Sequence, residues 1–136
     1  MIGLDSNVLI RFLADDEPQQ AGQAKQLLTA LTADNPGYIS LVALIETIWV
    51  LKHHFHCSRD RVFDVIETAL DVPSLVIQNA DDVRAAIADG RRHAVDLPDA
   101  LLARLNWAAG CDATMTFDRR AVRLPSMRLI APPVAG

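Results

Sequence analysis

Four carboxylates interrupt the apolar pattern of this 136-residue chain. Asp5 follows the apolar stretch Ile2-Gly3-Leu4 and precedes Val8, Leu9, Ile10, Phe12 and Leu13. Glu46 is the only charged residue between Tyr38 and Leu51. Asp99 follows Pro98 in VDLPDALLARL, and Asp118 sits in MTFDRR. Each acid taken singly has an ordinary structural role. Asp5 can cap a helix, although Ser6 and Asn7 serve as well. Glu46 can reach solvent from a helix edge, while Asp99 and Asp96 suit the positive end of a helix dipole. Asp118 can cap a turn. Brought together, carboxylates repel, and their protonation equilibria shift upward unless a cation neutralises them. An all-oxygen donor set favours a hard cation, Mg²⁺ or Mn²⁺. Such an ion acidifies bound water and offsets charge on a phosphate, so phosphodiester hydrolysis is the natural chemistry.

The elements that must position these acids are short. Ile2–Leu4 reads as a strand and Ser6–Ala14 as a helix with positions 9, 10, 12 and 13 inward. Asp15-Asp16-Glu17-Pro18 reads as the start of a second helix with acids in its first turn, continuing to about Thr32 with Ala21, Ala24, Leu27, Leu28 and Leu31 inward. Asn35-Pro36-Gly37 reads as a turn and Tyr38–Ser40 as a strand. A heavily buried helix is expected over Leu41–His54. Ser58 caps a helix over Arg59–Leu70, with Val62, Val65, Ile66 and Ala69 inward and Pro73 beyond its end. Ser74–Ile77 reads as a strand, Asn79 as the cap of a helix to about His93, and Leu97-Pro98-Asp99 as the opening of a helix, Ala100–Ala109, ended by Gly110. Asp112–Thr116 and Met127–Ile130 read as strands around a helical turn at Asp118–Val122. Alternation of this kind predicts an α/β domain with a mainly parallel sheet. Ligands of such sheets lie beyond the strands' carboxyl ends. Asp5 and Asp118 follow strands, Asp99 opens a helix and Glu46 lies in the helix after the second strand, so all four are expected at one sheet edge.

Composition narrows the class. A hydrophobic content of 51% excludes a disordered chain, and a single domain over 1–136 is expected. No apolar run approaches a membrane span, no signal peptide is legible, and Cys57 and Cys111 lack paired spacing. The expectation is a cytoplasmic protein with reduced, packed thiols. The net charge of −4 is unevenly spread. Residues 1–90 hold Lys+Arg 6 and Asp+Glu 13; residues 91–136 hold 7 and 4, and all seven cations are arginines. Arginine grips phosphate bidentately. Trp49 and Trp107 are either core residues or anchors for a partner.

The segments GLDSNVLIRFL, SLVALIETIWVL and DLPDALLARLNWAAGCDATMTFDR carry a resemblance that covers residues 1 to about 130. They resemble the acidic motifs of the PIN domain and, more narrowly, of VapC-type toxins of bacterial toxin–antitoxin pairs. The resemblance implies a three-layer α/β/α sandwich with a short-stranded sheet. It implies a Mg²⁺- or Mn²⁺-dependent endoribonuclease acting on structured RNA such as tRNA or rRNA, a VapB-like antitoxin partner and a homodimer. Asp5, Glu46 and Asp99 match the family's most constant acids, and Asp118 matches a fourth that is used less uniformly. These four are the expected catalytic and metal-holding residues. Asn7 and Thr116 are expected in support, and Arg119, Arg92 and Arg11 on flanking RNA phosphates. Hydrolysis would then proceed by in-line attack of water at phosphorus, with the 3′ oxygen leaving.

Other readings are weaker. His53, His54, His56 and Cys57 in KHHFHC lack a second ligand cluster for zinc. A haloacid-dehalogenase-like phosphatase wants Asp where this chain has Asn7. A receiver domain needs a late lysine, and the two lysines are Lys25 and Lys52. No Walker-type loop or G-x-G-x-x-G is present. The alternative of another class is a non-catalytic PIN-like RNA-binding or scaffold protein, which gains nothing from acids near phosphates.

Overall fold

Gly37 opens a strand where a turn was expected. In the computed structural model, which describes residues 1–14 and 17–131, β2 (Gly37–Ile39) lies between β1 (Ile2–Gly3) and β3 (Leu75–Ile77), and both pairings are parallel. Gly37 is opposite Ile2 and Leu75, and its N–H donates to the Ser74 carbonyl at 2.9 Å. The Leu4 N–H donates to the Tyr38 carbonyl at 2.9 Å, so the β1 ladder runs up to the residue before Asp5. Glycine is needed at 37 for space. A Cβ there would lie 2.7 Å from Leu4 Cδ1 and 2.8 Å from Leu31 Cδ1, and both leucines are buried. Asn-Pro-Gly signals a turn in sequence, but packing gives its last residue to the sheet.

The chain divides into two units, Met1–Ala80 and Asp81–Gly136. The first contains β1, β2, β3 and four helices: α1 (Ser6–Ala14), α2 (Pro18–Ala30), α3 (Leu41–His53) and α4 (Arg59–Leu70). Helix α1 packs on α2 and α3. Asp15 and Asp16, expected in the start of α2, lie outside the described residues. Glu17 is the N-cap with no side-chain cap bond, and Pro18 follows it; no acid occupies the first turn. Two side chains satisfy the start of α3. The Ala43 N–H donates to Ser40 Oγ at 3.2 Å, and the Leu41 N–H donates to Gln78 Oε1 at 2.9 Å. Ser58 caps α4 as expected, accepting from the Arg61 N–H at 3.1 Å.

Side-chain burial departs from the sequence reading in two helices. In α1, Leu9 and Ile10 are buried, but Phe12 and Leu13 are exposed and border an apolar hollow with Leu28, Val65 and Val72. In α3, Ala43, Leu44, Thr47, Ile48 and Leu51 are buried, whereas Val42, Glu46 and Trp49 form an exposed stripe. Glu46 is therefore not a charge sunk in a buried helix. Phe63, absent from the expected inner face of α4, is fully buried there.

The second unit contains α5 (Ala80–His93), which begins one residue before its boundary, α6 (Leu97–Ala108), and the parallel pair β4 (Thr114–Thr116) and β5 (Met127–Leu129), with a 3-10 turn at Ala121–Arg123. Asn79 precedes α5 with φ +53° rather than the extended backbone of a usual N-cap. Helix α6 starts at Leu97, within the Leu97-Pro98-Asp99 segment expected to open it, and Pro98 fits its first turn. It ends as the sequence indicates. Gly110 takes φ +98°, its N–H donates to the Trp107 carbonyl at 3.0 Å, and the Cys111 N–H donates to Asn106 at 3.0 Å. This is a Schellman ending, which favours glycine. Cys57 is half-buried but Cys111 is exposed, so the expectation of two packed thiols fails for Cys111. Trp49 and Trp107 are 61% and 60% exposed, which rules out the core reading of both. Among the described residues no helix is long and apolar enough to cross a membrane.

The crowding at Gly37 gives a direct expectation. Gly37→Ala should lower stability by about 1–3 kcal/mol, the usual range for overpacking. Adding Leu4→Val should recover part of the loss. Urea denaturation midpoints at unchanged m-value read both effects.

Candidate functional site

Asp5 follows the β1 ladder and starts α1. Its carbonyl accepts from the Val8 N–H at 3.1 Å and the Leu9 N–H at 3.5 Å. Asp5 thus stands at the N-cap position, and the donors that reach its carboxylate are side chains. Ser6 Oγ lies 3.3 Å from Asp5 Oδ1, and Asn7 Nδ2 donates to Asp5 Oδ2 at 3.4 Å. Both contacts are long, and a carboxylate has about four acceptor sites, so Asp5 keeps acceptor capacity to spare.

Ser6 also reaches across to α3, donating to Glu46 Oε2 at 2.8 Å. It is 6% exposed and, with Thr47, one of two buried polar residues among those described. Its hydroxyl has one proton. The shorter contact, to a charged acceptor, takes the larger share of it. The pairing of β1 with β2 makes this bridge: α1 and α3 begin just after adjacent parallel strands and pack together. Sequence reasoning placed Asp5, Asn7 and Glu46 in one site but treated Ser6 only as a spare cap. The available signal was a hydroxyl flanked by an acid at the carboxyl end of a strand.

Asn7 and Arg11, one helical turn apart on α1, line a cavity of about 260 Å³ with Trp49, His54 and Phe55. Arg11 donates from Nε to Gln20 Oε1 at 2.7 Å. Two histidines of KHHFHC make ring contacts: Trp49 and His53 have centroids 4.7 Å apart, as do His54 and Phe55.

In the second unit Thr116 and Asp118 are joined. The Asp118 N–H donates to Thr116 Oγ1 at 3.0 Å, and Asp118 Oδ1 accepts from the Arg120 N–H at 2.8 Å. Asp118 thus does cap a turn, with one oxygen; its Oδ2 has no protein donor among the described residues. Asp99 stands in the first turn of α6, where the dipole favours an anion, and Asp96 is that helix's N-cap without a side-chain cap bond. Arg119 is exposed beside Asp118. Arg92 lines a separate cleft described below.

The donor chemistry of Asp5 and Glu46 suits a hard divalent cation: exposed carboxylate oxygens, no sulfur or imidazole, both within 3.3 Å of one hydroxyl. The structure gathers two such acids in the first unit. Among the described residues no three His, Cys, Asp or Glu side chains form a group that could hold a metal ion.

Short parallel strands alternating with helices, with Asp5 just beyond β1 and Asp118 just beyond β4, define an α/β protein. The PIN domain model matches residues 2–126, and the chain belongs to the PIN domain family. PIN domains are generally metal-dependent nucleases and typically use divalent ions. Comparison with curated proteins finds no match.

The two distances at Ser6 predict unequal coupling. In double-mutant cycles read by urea denaturation, Ser6→Ala with Glu46→Ala should show a coupling of about 1–2 kcal/mol. Ser6→Ala with Asp5→Ala should show clearly less.

Proposed function

We propose that this chain is a Mg²⁺- or Mn²⁺-dependent endoribonuclease and, more narrowly, the toxin of a VapBC-type pair. The observation that carries the reading is the Ser6 hydroxyl, which donates to Glu46 at 2.8 Å and lies 3.3 Å from Asp5, so that both carboxylates stand around one group just beyond β1. Ser6 holds Glu46, and Asn7 steadies the second oxygen of Asp5. Both acids keep lone pairs for a cation. Asp99 and Asp118 are the further acids on which activity depends, and Thr116 supports the turn that presents Asp118. A bound divalent ion supplies an acidified water and offsets the charge of the scissile phosphate. Arg119 and Arg11 are suited to flanking phosphates, Arg11 because it shares a cavity with Asn7.

Structured RNA such as tRNA or rRNA is the proposed substrate class, with a VapB-like antitoxin as partner, a homodimer as the assembly, one domain over 1–136 and the cytoplasm as location. The substrate, partner and assembly rest on the resemblance of the acidic segments, the single domain on chain length, and the location on the cysteine spacing. A second reading, a PIN-like RNA-binding protein that does not cut, is favoured by one observation: no three acids form a metal-holding group among the described residues.

Incubation of the antitoxin-free chain with a mixed structured-RNA pool, in Mg²⁺, Mn²⁺ or EDTA, separates the two. We expect metal-dependent cuts that fall at least about 100-fold in Asp5→Asn and Asp99→Asn, the scale of losing a group that stabilises developing charge. Cutting that persists undiminished in both variants would overturn the assignment. Absence of both cutting and acid-dependent Mn²⁺ uptake would favour the binder.

A further inference from the structure

The second unit holds a cleft of about 520 Å³ that includes none of the four acids above. Three segments line it. Helix α5 contributes Asp89, Arg92 and His93, one turn apart on one face. Helix α6 contributes Ala100, Ala103, Arg104 and Trp107, spaced i, i+3, i+4, i+7. The segment around β5 contributes Leu124, Ser126 and Arg128, and Asp112 stands at the edge. Ala100, Ala103 and Leu124 are buried and make an apolar floor. The volume falls within the ~300–1,000 Å³ usual for small-ligand sites.

The walls are chemically specific. Arg92 and Arg128 are exposed and have no side-chain partner among the described residues. Arg104 spends only Nε, on a 3.5 Å contact to Asp82, which leaves the terminal nitrogens of its guanidinium for another acceptor. Three guanidiniums around one hollow match phosphate oxygens. Trp107 exposes its ring to the same hollow, and an exposed indole beside arginines is the composition of a base-stacking platform. The two carboxylates, Asp89 and Asp112, argue against a site for a bare anion. They suit acceptors for the amino edge of an unpaired base, as carboxylates accept from cytosine N4. Unpaired bases offer those edges only in single strands.

We propose that this cleft holds a single-stranded nucleic-acid segment, with its phosphates on Arg92, Arg104 and Arg128 and one base stacked on Trp107. The proposal shares the nucleic-acid reading of the chain but does not require that the chain cut anything.

The test is fluorescence anisotropy with the full chain and a labelled, unstructured RNA of about eight nucleotides, in EDTA, over roughly 50–200 mM KCl. DNA of the same sequence forms a second arm. Arg92→Gln and Arg128→Gln should each flatten the slope of log K against log[salt] by about 0.7, the loss of one phosphate contact. Trp107→Leu should weaken binding about tenfold with the slope unchanged. Arg61→Gln on α4 should change neither, and far-UV circular dichroism verifies the fold of each variant. RNA preferred over DNA upholds the proposal with the 2′-hydroxyl also read; equal binding upholds it with backbone and stacking alone.

The proposal is overturned if the wild type binds neither strand, if the cleft variants keep wild-type affinity and slope, or if inorganic phosphate displaces the strand and Trp107→Leu has no effect. The first outcome would leave Trp107 and its arginines as anchors for a protein. EDTA keeps this experiment independent of hydrolysis. A chain that binds through the cleft yet never cuts upholds this inference and defeats the ribonuclease proposal; a chain that cuts while the cleft variants bind normally does the reverse.

Discussion

Ser6 is buried, its hydroxyl has a single proton, and two carboxylates lie within 3.3 Å of it. Burying a hydroxyl without a partner is costly, so Ser6 is stable in its place only if Glu46 or Asp5 is turned toward it. The same contact restrains Glu46, which otherwise projects from the exposed side of α3 with several rotamers open to it. Burial of one small polar group thus sets the position of a charged one. The arrangement depends in turn on strand pairing, because α1 and α3 meet only if β1 and β2 run parallel in the observed register. Gly37 holds that register by leaving room for Leu4 and Leu31.

The two units differ in their electrostatics as well as in their strands. Residues 1–80 hold Lys+Arg 5 and Asp+Glu 10, whereas residues 81–136 hold 8 and 7. In the first unit the notable feature is a pair of carboxylates on a shared hydroxyl; in the second it is a cleft with three guanidiniums and an indole. A polyanion meets opposite conditions at the two. It is attracted by the arginines at long range and repelled by the bare acids unless a cation is present. Chains that handle phosphodiesters need both terms: attraction to hold the strand and acids to organise a metal at the bond to be broken.

Much of this was legible in the sequence wherever a single local rule decided the outcome. Ser58 and the spacing after it gave α4 its observed bounds, and Gly110 ended α6 because only a left-handed residue closes that motif cheaply. Asp5 and Glu46 could be assigned to one sheet edge because Asp5 follows the first strand and Glu46 lies in the helix after the second. Where two rules competed, sequence was a poor guide. Residues 41–51 of α3 are apolar nearly all round, so composition could not say that Glu46 lies on the open face. Gly37 fits a turn by type and a strand by packing, and only the positions of Leu4 and Leu31 decide. Ser6 carries no mark in sequence that separates a helix cap from a bridge between helices. The grouping of Arg104, Arg128 and Trp107 was hidden for a similar reason: β5 comes about twenty residues after α6, and no spacing rule brings them together.

The exposed stripe of α3 sets Glu46 between Val42 and Trp49, one turn away on either side. In the free protein water covers all three, and the carboxylate's field is damped by a dielectric near that of the solvent. A molecule settling on the stripe strips water from two apolar neighbours and from the acid at once. At short range a carboxylate's pull on a cation grows several-fold as the effective dielectric falls. Glu46 is thus placed so that its influence is weakest when the surface is bare and strongest when it is covered.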